Sequence, residues 1–397
     1  MQPKKQIFKL VGTPQHYAWG GFQFIPSLLG FENTDSKPYA EYWMGAHPSA
    51  SGKFLVDGQL LSWYELIQQD PVKYLGENVV RKFGELPYLF KVLDVNEMLS
   101  IQVHPTKEEA IKGFEREEAE GIPINAAHRN YKDKNHKPEV MVALSDFWLL
   151  HGFKKEDELK VVLKTIPEFA DLLPVFEKEG YYGLYKAVME FSTPETDELL
   201  SPLIERELQK PHQKSEPGHW VKKLYAKGFD GKNIDKGIFS IYFFNIVELA
   251  PGQAVYQAAG VPHAYLEGQN VELMANSDNV LRGGLTPKHI DVPELLKHIS
   301  FEGIDPNILQ PDISDNGEIG YPLPVEDFAI SAIQLQVAQE YENTSASSEI
   351  FLVMSGEVRC DNELSCKRGE AFVVLPEANY NFTGLTDDTL LYKAFVP

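Results

Sequence analysis

The strongest constraint on the fold is a change of hydrophobic periodicity in the middle of the chain. Up to residue 153, short apolar runs such as 88–93 and 139–144 are separated by Gly, Pro and Asn, a pattern that predicts β-strands. Between residues 154 and 227, the apolar residues instead recur three and four positions apart, which predicts helices. The strand pattern then returns. We therefore predict a mainly β protein with an inserted α-helical domain.

The second half of the chain repeats one arrangement of strands and glycine turns. A strand ending in Ser355-Gly-Glu-Val358 is followed shortly by Arg368-Gly-Glu and another strand, and residues 251–265 have a related pattern. Short, evenly spaced strands with Gly turns are typical of jelly-roll barrels, and this spacing looks like that of a cupin. We therefore predict two cupin-like jelly-roll barrels. The predicted domains are a catalytic cupin-like domain (1–153 and 228–310), the helical insertion (154–227) and a C-terminal cupin-like domain (311–397).

Local patterns predict several individual elements. Thr193 is expected to cap a helix that has Pro194 at its first position. Residues 238–249 form a long aromatic run, which predicts a single strand. The other predicted elements used below are strands at 7–11 and 100–104 and helices at 63–69 and 107–119.

Composition narrows the possible partners and the compartment. The 397 residues include 37 Lys and Arg against 58 Asp and Glu, a net charge of −21, which argues against nonspecific binding to nucleic acid or anionic membranes. Cys360 and Cys366 are the only cysteines and form no CxxC pair, so neither a disulfide framework nor a cysteine zinc site is expected. The chain has no apolar run long enough to span a bilayer and no signal-peptide pattern at its start, so we expect a cytoplasmic protein.

Two short polar clusters next to predicted strands could carry chemistry. Gln102 and His104 are two positions apart, so in a strand their side chains project from the same face, where they could bind a metal or simply meet solvent. Lys137 and Glu139 have the same spacing around the rigid Pro138. That segment is either a solvated turn or part of a site.

The third cluster is the longest and runs from residue 260 to residue 288. His263 ends a Gly-x-Pro turn, which fits metal ligation at the mouth of a barrel, although a lone His is also often a structural residue. Arg282 precedes a Gly pair whose small bulk leaves room for a ligand. Together with the other clusters, these residues offer a mixed nitrogen and oxygen donor set that suits zinc, and that iron or manganese would also accept.

Several common motifs are absent from the sequence. It contains no HExxH, no GxxxxGK[ST], no GxSxG and no GxGxxG after a strand. The usual signatures of zinc proteases, nucleotide-binding proteins and α/β-hydrolases are therefore missing.

Six motifs in order resemble those of type I mannose-6-phosphate isomerases. They are YAWGG at 17–21, EYWMGAHP at 41–48, LSIQVHP at 99–105, NHKPE at 135–139, GVPHAY at 260–265 and NSDNVLRGGLTPK at 276–288. The resemblance covers the chain as far as Lys288 and the C-terminal part more loosely. Any one of these motifs alone would be weak, but six in order are specific.

The resemblance implies a site and a reaction. It implies one zinc ion per chain, a catalytic arginine at Arg282, and a proton-transferring base that is either Lys137 or Glu272. The implied reaction interconverts mannose 6-phosphate and fructose 6-phosphate through a cis-enediol. The implied zinc ligands are Gln102, His104, Glu139 and His263, and the implied substrate-binding residues are His136, Asp278 and Lys288.

Two other functions fit the same barrel pattern. One is another cupin-fold metal enzyme, a dioxygenase or a sugar epimerase, because one fold can host many chemistries. The other is a protein that binds a sugar phosphate without converting it. For each function we expect a small-molecule partner, no nucleic acid or membrane, and a monomer or weak homo-oligomer.

Overall fold

The computed structural model describes residues 6–314, 316–361 and 364–397, and most of its regular structure is antiparallel sheet. The strands within these residues are β1 (Ile7–Val11), β2 (Thr13–Gln15), β3 (Glu41–Gly45), β4 (Lys53–Val56), β5 (Gln59–Ser62), β6 (Tyr88–Val95), β7 (Gln102–Val103), β8 (Glu139–Ala143), β9 (Phe147–Phe153), β10 (Phe244–Leu249), β11 (Ala254–Gln257), β12 (His263–Ala275), β13 (Leu281–Arg282), β14 (Ile308–Leu309), β15 (Asp312–Ile313), β16 (Glu318–Gly320), β17 (Ala329–Leu335), β18 (Glu340–Thr344), β19 (Glu349–Ser355), β20 (Glu357–Cys360), β21 (Leu364–Lys367), β22 (Ala371–Val374), β23 (Asn379–Gly384) and β24 (Thr389–Phe395).

Helices cluster in the middle of the chain. They are α1 (Phe24–Leu28), α2 (Trp63–Gln69), α3 (Pro71–Leu75), α4 (Glu77–Phe83), α5 (Lys107–Ala119), α6 (Glu156–Thr165), α7 (Leu173–Glu190), α8 (Thr193–Leu208), α9 (Pro217–Leu224), α10 (Gly237–Phe243) and α11 (Val292–His298), with a 3₁₀ turn at Pro167–Leu172. In the segment from 154 to 227, all the regular elements are helical, as the periodicity predicts. The predicted bounds of α2 and α5 are also confirmed.

The largest sheet has β12 at its centre. Its main path runs β14–β11–β8–β12–β6–β3–β2, and β7, β9, β10 and β13 join it beside β12. The thirteen residues of β12 pair with β6 and β8 near their end and with β7 and β9 near their start. The chain segments around residues 102, 139 and 263 therefore meet on one sheet, although they are far apart in sequence.

A second large sheet joins the two ends of the chain. It runs β15–β16–β17–β24–β19–β22–β1–β4–β5, so the N-terminal strand β1 pairs with the C-terminal strand β22. Both large sheets contribute side chains to a shared apolar core, for example Val92 and Leu273 from one sheet and Phe54 and Leu352 from the other. A separate small sheet has the order β18–β23–β20–β21.

The predicted strand at 238–249 is wrong in its first half. Residues Gly237–Phe243 form α10 and only Phe244–Leu249 form β10. Every residue of α10 is buried, so its sequence has no polar face from which a helical period could be read. Tertiary packing, with Phe239 and Phe243 both contacting Phe169, decides the conformation.

Two smaller differences concern element ends. The cap of α8 is Ser192 and not Thr193, because the Ser192 hydroxyl and the Glu195 side chain form a reciprocal capping box. Pro194 therefore lies one position further into the helix than predicted. The predicted strand at 100–104 shortens to Gln102–Val103. Among the described residues, no helix combines the length and apolar character needed to cross a membrane.

Candidate active site

Three potential metal ligands converge beside β12. One ligand atom from each of His104, Glu139 and His263 can be chosen so that all three lie within 4.8 Å of one another. The Glu139 oxygens lie 3.4 Å from His104 Nε2 and 3.3 Å from His263 Nε2. All three residues are buried. They come from three distant parts of the chain, as the sequence analysis anticipated for this donor set.

Backbone carbonyls fix the orientation of both imidazole rings. His104 Nδ1 lies 2.9 Å from the carbonyl oxygen of Asn279, and His263 Nδ1 lies 3.0 Å from that of Val261. Since a carbonyl only accepts hydrogen bonds, each Nδ1 carries a proton, and the Nε2 atom of each ring faces Glu139. This is the arrangement that metal-bound histidines usually have.

The turn before His263 is held against His104. Gly260 has a φ of +82°, and its N–H donates to the His104 carbonyl at 3.0 Å. A Cβ at this position would come within 2.7 Å of the Ser300 hydroxyl, so glycine meets both a conformational and a steric requirement. The Gly-x-Pro-His motif thereby fixes the position of the backbone from which the His263 side chain extends.

The burial of the three side chains, and a buried polar atom without a hydrogen-bond partner among the described residues, show whether the cluster can hold a metal ion. His104 Nε2 is buried and has no hydrogen-bond partner in the described part of the chain. Burial lowers the pKa of His104 to about 4, so the ring is neutral near pH 7. Two ligands about 2.1 Å from a tetrahedral ion would be separated by about 3.4 Å, which matches the observed contacts. The three side chains therefore fit a zinc ion.

The strand register places two more predicted site residues on the same face. Gln102 is the direct partner of His263 on one side and of Arg282 on the other. Side chains of directly opposed residues in antiparallel strands share one face of the sheet. His263, Gln102 and Arg282 therefore form a row across three neighbouring strands, with His151 continuing the row beyond His263.

Lys137 lies against the same carboxylate. Its Nζ is 2.8 Å from Glu139 Oε1, and both side chains are nearly buried. Burial by itself raises the pKa of Glu139, but the charge of Lys137 and the adjoining imidazoles outweigh it and hold this pKa well below its usual range. Glu139 is therefore a permanently charged oxygen donor.

Arg282 has no protein partner in the described part of the chain. Its side chain forms no ion pair or hydrogen bond with any residue that the structure describes, although it is partly buried. Partial burial lowers its pKa, and the same effect together with the charge of Arg282 lowers the pKa of Lys288. Neither Arg282 nor Lys288 forms an ion pair with a carboxylate among the described residues, and two such neighbouring cations indicate a binding site for an anion.

Glu272 belongs to a buried ion pair whose other member, Lys91, is not among the residues predicted from the sequence. Its two oxygens accept hydrogen bonds from Lys91 Nζ at 3.0 Å and from the Tyr265 hydroxyl at 2.9 Å. Glu41 lies 3.6 Å from Lys91 on the other side. Burial alone would lower the pKa of Lys91, but the charges of the two carboxylates raise this pKa above its usual value. Lys91 therefore remains charged. A single Lys within the apolar run 88–95 was the sequence signal that could have identified it.

The remaining predicted residues lie at the edge of this region. The ring nitrogen Nε2 of His136 is 3.0 Å from an Asp327 oxygen, so His136 contacts the segment that leads into the C-terminal part. The Asp278 carboxylate is more than half exposed and lies 3.9 Å from His47 Nε2. Neither of these contacts involves a residue of the metal-ligand cluster.

Asn279 is a second residue that the sequence analysis did not select. Besides its carbonyl contact to His104, its side chain accepts from the Lys132 N–H at 2.7 Å and donates to the carbonyls of Asp133 and Asn135 at 2.9 Å. It thereby joins the segment that carries Lys137 to His104. It lies inside the motif at 276–288, and nothing in the sequence separates it from its neighbours there.

Comparison with known proteins agrees with this geometry. The family model described as phosphomannose isomerase type I, catalytic domain, matches residues 7–156. The mannose-6-phosphate isomerase of Escherichia coli K12 is 38% identical over 386 residues, which cover 95% of this chain and 97% of that protein. The mannose-6-phosphate isomerase of Mus musculus is 34% identical over 397 residues, covering 89% of this chain and 88% of that protein.

A solved structure is similar along the whole length. It is a mannose 6-phosphate isomerase from Salmonella typhimurium bound to its substrate, fructose 6-phosphate, and to zinc, with a TM-score of 0.87 and 35% identity, covering 99% of this chain and 100% of that one. The sequence comparison and the structural comparison therefore each cover nearly the whole chain. The chain belongs to the type I phosphomannose isomerase family.

Proposed function

We propose that this protein interconverts mannose 6-phosphate and fructose 6-phosphate with one bound zinc ion. The observation that carries the proposal is the row of Arg282, Gln102 and His263 beside Glu139 and His104, in a chain of this family. The row joins a candidate metal site to Arg282, a cation that has no ion-pair partner among the described residues. A sugar phosphate needs both, because its reacting oxygens and its phosphate are far apart.

The proposed zinc ligands are Gln102, His104, Glu139 and His263. The supporting observations are the two Nε2 atoms that face Glu139, the Nε2 of His104 that has no hydrogen-bond partner among the described residues, and the register position of Gln102 opposite His263. When bound, a divalent ion stabilises the negative charge that develops on the sugar oxygens at C1 and C2. The backbone contacts of both histidines hold the rings ready for it.

Arg282 and Lys288 are the proposed anion-binding groups. The whole chain carries a charge of −21, so a dianionic phosphate needs local positive charge in order to bind. Arg282 offers a planar set of donors that can bind two oxygens at once, and Lys288 adds a second charge nearby. Asp278 and His136 complete the proposed substrate-binding set at the rim.

Two groups can move the proton between C1 and C2. Glu272 has a pKa raised by burial, which brings a carboxylate closer to the range that general-base catalysis needs, but Lys91 and Tyr265 occupy both of its oxygens. The ammonium group of Lys137 is paired with Glu139. The proposed mechanism assigns the transfer to Lys137 or Glu272, and a positioned base of this kind contributes about 10²–10⁴-fold.

The finer architecture is also a proposal. We assign two cupin-like jelly-roll barrels with a helical insertion at 154–227, supported by the helices of that segment and by the antiparallel sheets on either side. Strands β1, β4 and β5 pair within the sheet of the C-terminal strands, so the proposed barrels share chain from both ends. A cytoplasmic location stays a prediction from the sequence, and a monomer or weak homo-oligomer stays an expectation.

One experiment tests the function directly. Purified protein is incubated with fructose 6-phosphate in deuterated water, with and without a chelator, and the product is identified by NMR. We expect mannose 6-phosphate carrying deuterium at C2, and no product after chelation. Binding without conversion would identify a sugar-phosphate-binding protein, and oxygen uptake or a different epimer would identify another cupin-fold enzyme.

A further inference from the structure

The carboxylate of Asp235 holds the loop that follows Arg282. Its Oδ1 accepts from the N–H of Leu285 at 2.7 Å, and its Oδ2 accepts from the N–H of Thr286 at 2.9 Å. Oδ1 also accepts from the N–H of Gly237 at 2.7 Å. One side chain thereby ties the start of α10 to a loop about fifty residues later in the sequence.

The loop needs such a constraint because its backbone is strained. Gly284 has a φ of +127° and Leu285 a φ of +54°. A left-handed conformation costs a non-glycine residue on the order of 1 kcal/mol or more, so it persists only where the surroundings enforce it. The two hydrogen bonds to Asp235 fall on Leu285 itself and on the residue after it.

Two glycines allow the loop to approach α10 closely. A Cβ at Gly284 would lie 2.5 Å from the backbone of Gly237, and a Cβ at Gly237 would lie 2.6 Å from the nitrogen of Leu285. Neither position therefore tolerates a side chain. The contact between Asp235 and the loop is a close backbone docking and not a loose surface interaction.

The other side of the loop is attached to the proposed metal site. Gly283 N–H donates to the Ile101 carbonyl at 2.9 Å, and Ile101 N–H donates to the Gly284 carbonyl at 3.0 Å. Arg282 itself pairs with Gln102 in β7. The residues after Arg282 thus lie between two attachments, β7 on the metal side and Asp235 on the helical side.

The segment that carries Asp235 is itself anchored to the helices. The N–H groups of Asn233 and Ile234 donate to the Asp197 carboxylate in α8 at 3.0 and 2.8 Å. Lys236 Nζ donates to the Met189 carbonyl at the end of α7 at 2.6 Å. The helical segment is therefore a fixed support for Asp235.

We propose that Asp235 is a positioning residue for the isomerase reaction, which sets the placement of Arg282 and Lys288 by holding the loop between them. The inference rests on the proposed function, because it takes these two cations as the anion-binding groups. Within the part of the chain that the structure describes, Asp235 forms no ion pair with either cation, and it has no acid–base role in this proposal. Its effect reaches the substrate only through the backbone of residues 283–288.

The test compares Asp235→Asn with Asp361→Asn. Asparagine at 235 keeps one acceptor oxygen but turns an NH₂ group toward a loop N–H, so the loop loses an attachment. Asparagine at 361 makes the same change to a carboxylate that also accepts a backbone N–H, that of Asn381, which lies outside both the loop and the segment that carries Asp235. The measurements are kcat, KM for fructose 6-phosphate, competitive inhibition by inorganic phosphate, and bound zinc.

We expect Asp235→Asn to lower kcat/KM by about 10- to 100-fold, because displacements of about 1 Å in a substrate-positioning group have effects of this size. Inhibition by phosphate should weaken in parallel, while bound zinc stays at one per chain. Asp361→Asn should change these constants less than about twofold even if its melting temperature falls. Equal kinetic effects in the two variants, or unchanged phosphate inhibition in Asp235→Asn, would contradict the positioning role.

A measurement on the wild-type protein does not depend on the folding of any variant. Amide hydrogen exchange in the loop without substrate should be slow, since the N–H groups of Gly283, Leu285 and Thr286 are hydrogen-bonded. Exchange at the rate of an open loop would overturn the proposal. A wild-type chain that does not isomerise fructose 6-phosphate would contradict the proposed function, whereas an active wild type with an unaffected Asp235→Asn contradicts only this inference.

Discussion

Arg282 and Gln102 are direct partners in the antiparallel pair β7–β13, so their side chains leave the sheet on the same face. Gln102 is at the same time the partner of His263. A proposed metal ligand thus lies between a second ligand and the unpaired arginine. The row spans only three strands, so its order is fixed by the backbone hydrogen bonds of the sheet and not by flexible side chains.

Replacement of Arg282 by Ala should separate catalysis from metal binding. We expect kcat to fall by about 10²–10³-fold, the usual loss when one group that stabilises developing or bound negative charge is removed. Bound zinc should remain at one per chain, because Arg282 is not one of the proposed zinc ligands. Arg282→Lys should recover only part of the activity, since it keeps the charge but loses the planar donor set. Wild-type kcat in Arg282→Ala would refute the role.

His263→Ala should remove both the metal and the activity. The substitution deletes one proposed ligand and leaves Glu139 and His104 without their shared partner. Zinc measured by atomic absorption after dialysis should fall well below one per chain, and turnover should fall with it. His128→Ala, which changes an exposed histidine, is the matched control. Full activity of His263→Ala after treatment with a chelator would show that the metal assignment is wrong.

Lys137→Met should abolish most of the activity without unfolding the zinc-loaded protein. Methionine retains most of the length of the side chain but removes the charge that lies 2.8 Å from Glu139. Because removing one partner of a buried ion pair leaves the other charge uncompensated, the metal-free variant should melt at a lower temperature than metal-free wild type. The zinc-loaded variant should melt near the wild-type temperature.

The matched control for this change is Lys134→Met, at an exposed lysine paired with Glu115. It should retain both activity and melting temperature, since exposed ion pairs contribute little to stability. Turnover near the wild-type value in Lys137→Met would exclude Lys137 from the site and would leave Glu272 as the proposed proton carrier.

The stability of the metal-free protein should fall as the pH decreases below neutrality. Burial and the neighbouring His263 lower the pKa of His151 from 6.5 to about 4. Between these values the unfolded chain binds the proton and the folded chain does not. The stabilisation is therefore complete above about pH 6.5 and is lost as the pH falls toward 4, by on the order of 3 kcal/mol for this residue.

Urea unfolding of metal-free protein at several pH values checks this prediction. His151→Gln, which cannot titrate, should show a smaller loss of unfolding free energy between about pH 6.5 and 4 than the wild type. The wild type and His151→Gln have the same carboxylates, so the difference between their two curves gives the contribution of His151 to the pH dependence. Identical pH dependence in the two proteins would contradict the shifted pKa.

Sequence patterns predicted the fold where local signals and burial agreed. The helix at 107–119 has charged residues on its exposed side and a Thr cap, and its observed bounds match the prediction. The aromatic run at 238–249 shows the opposite case, because a fully buried segment looks the same as a helix or as a strand. There, the packing of Phe239 and Phe243 on Phe169 decided the outcome.

The candidate site likewise contains residues that the sequence identified and residues that it did not. Motif order selected His104, Glu139 and His263, and the structure brings their donor atoms together. Motif order did not select Lys91, which only its place as a single Lys in an apolar run marks, or Asp235, whose segment has no recognisable pattern. These two residues act through hydrogen bonds to groups far away in the chain, to Glu272 and to the loop after Arg282.

The sequence by itself determined the family, the alternation of strands and helices, and the chemical types of the proposed ligands, because periodicity and short motifs are local properties. Only the tertiary structure decided that Gln102 lies between His263 and Arg282, that both imidazoles direct Nε2 toward one carboxylate, and that Asp235 supports the loop after Arg282. These relationships depend on strand register and on contacts between segments far apart in sequence, from 35 residues for His104 and Glu139 to 180 residues for Gln102 and Arg282. Such contacts form only when the apolar cores of the sheets and helices pack together.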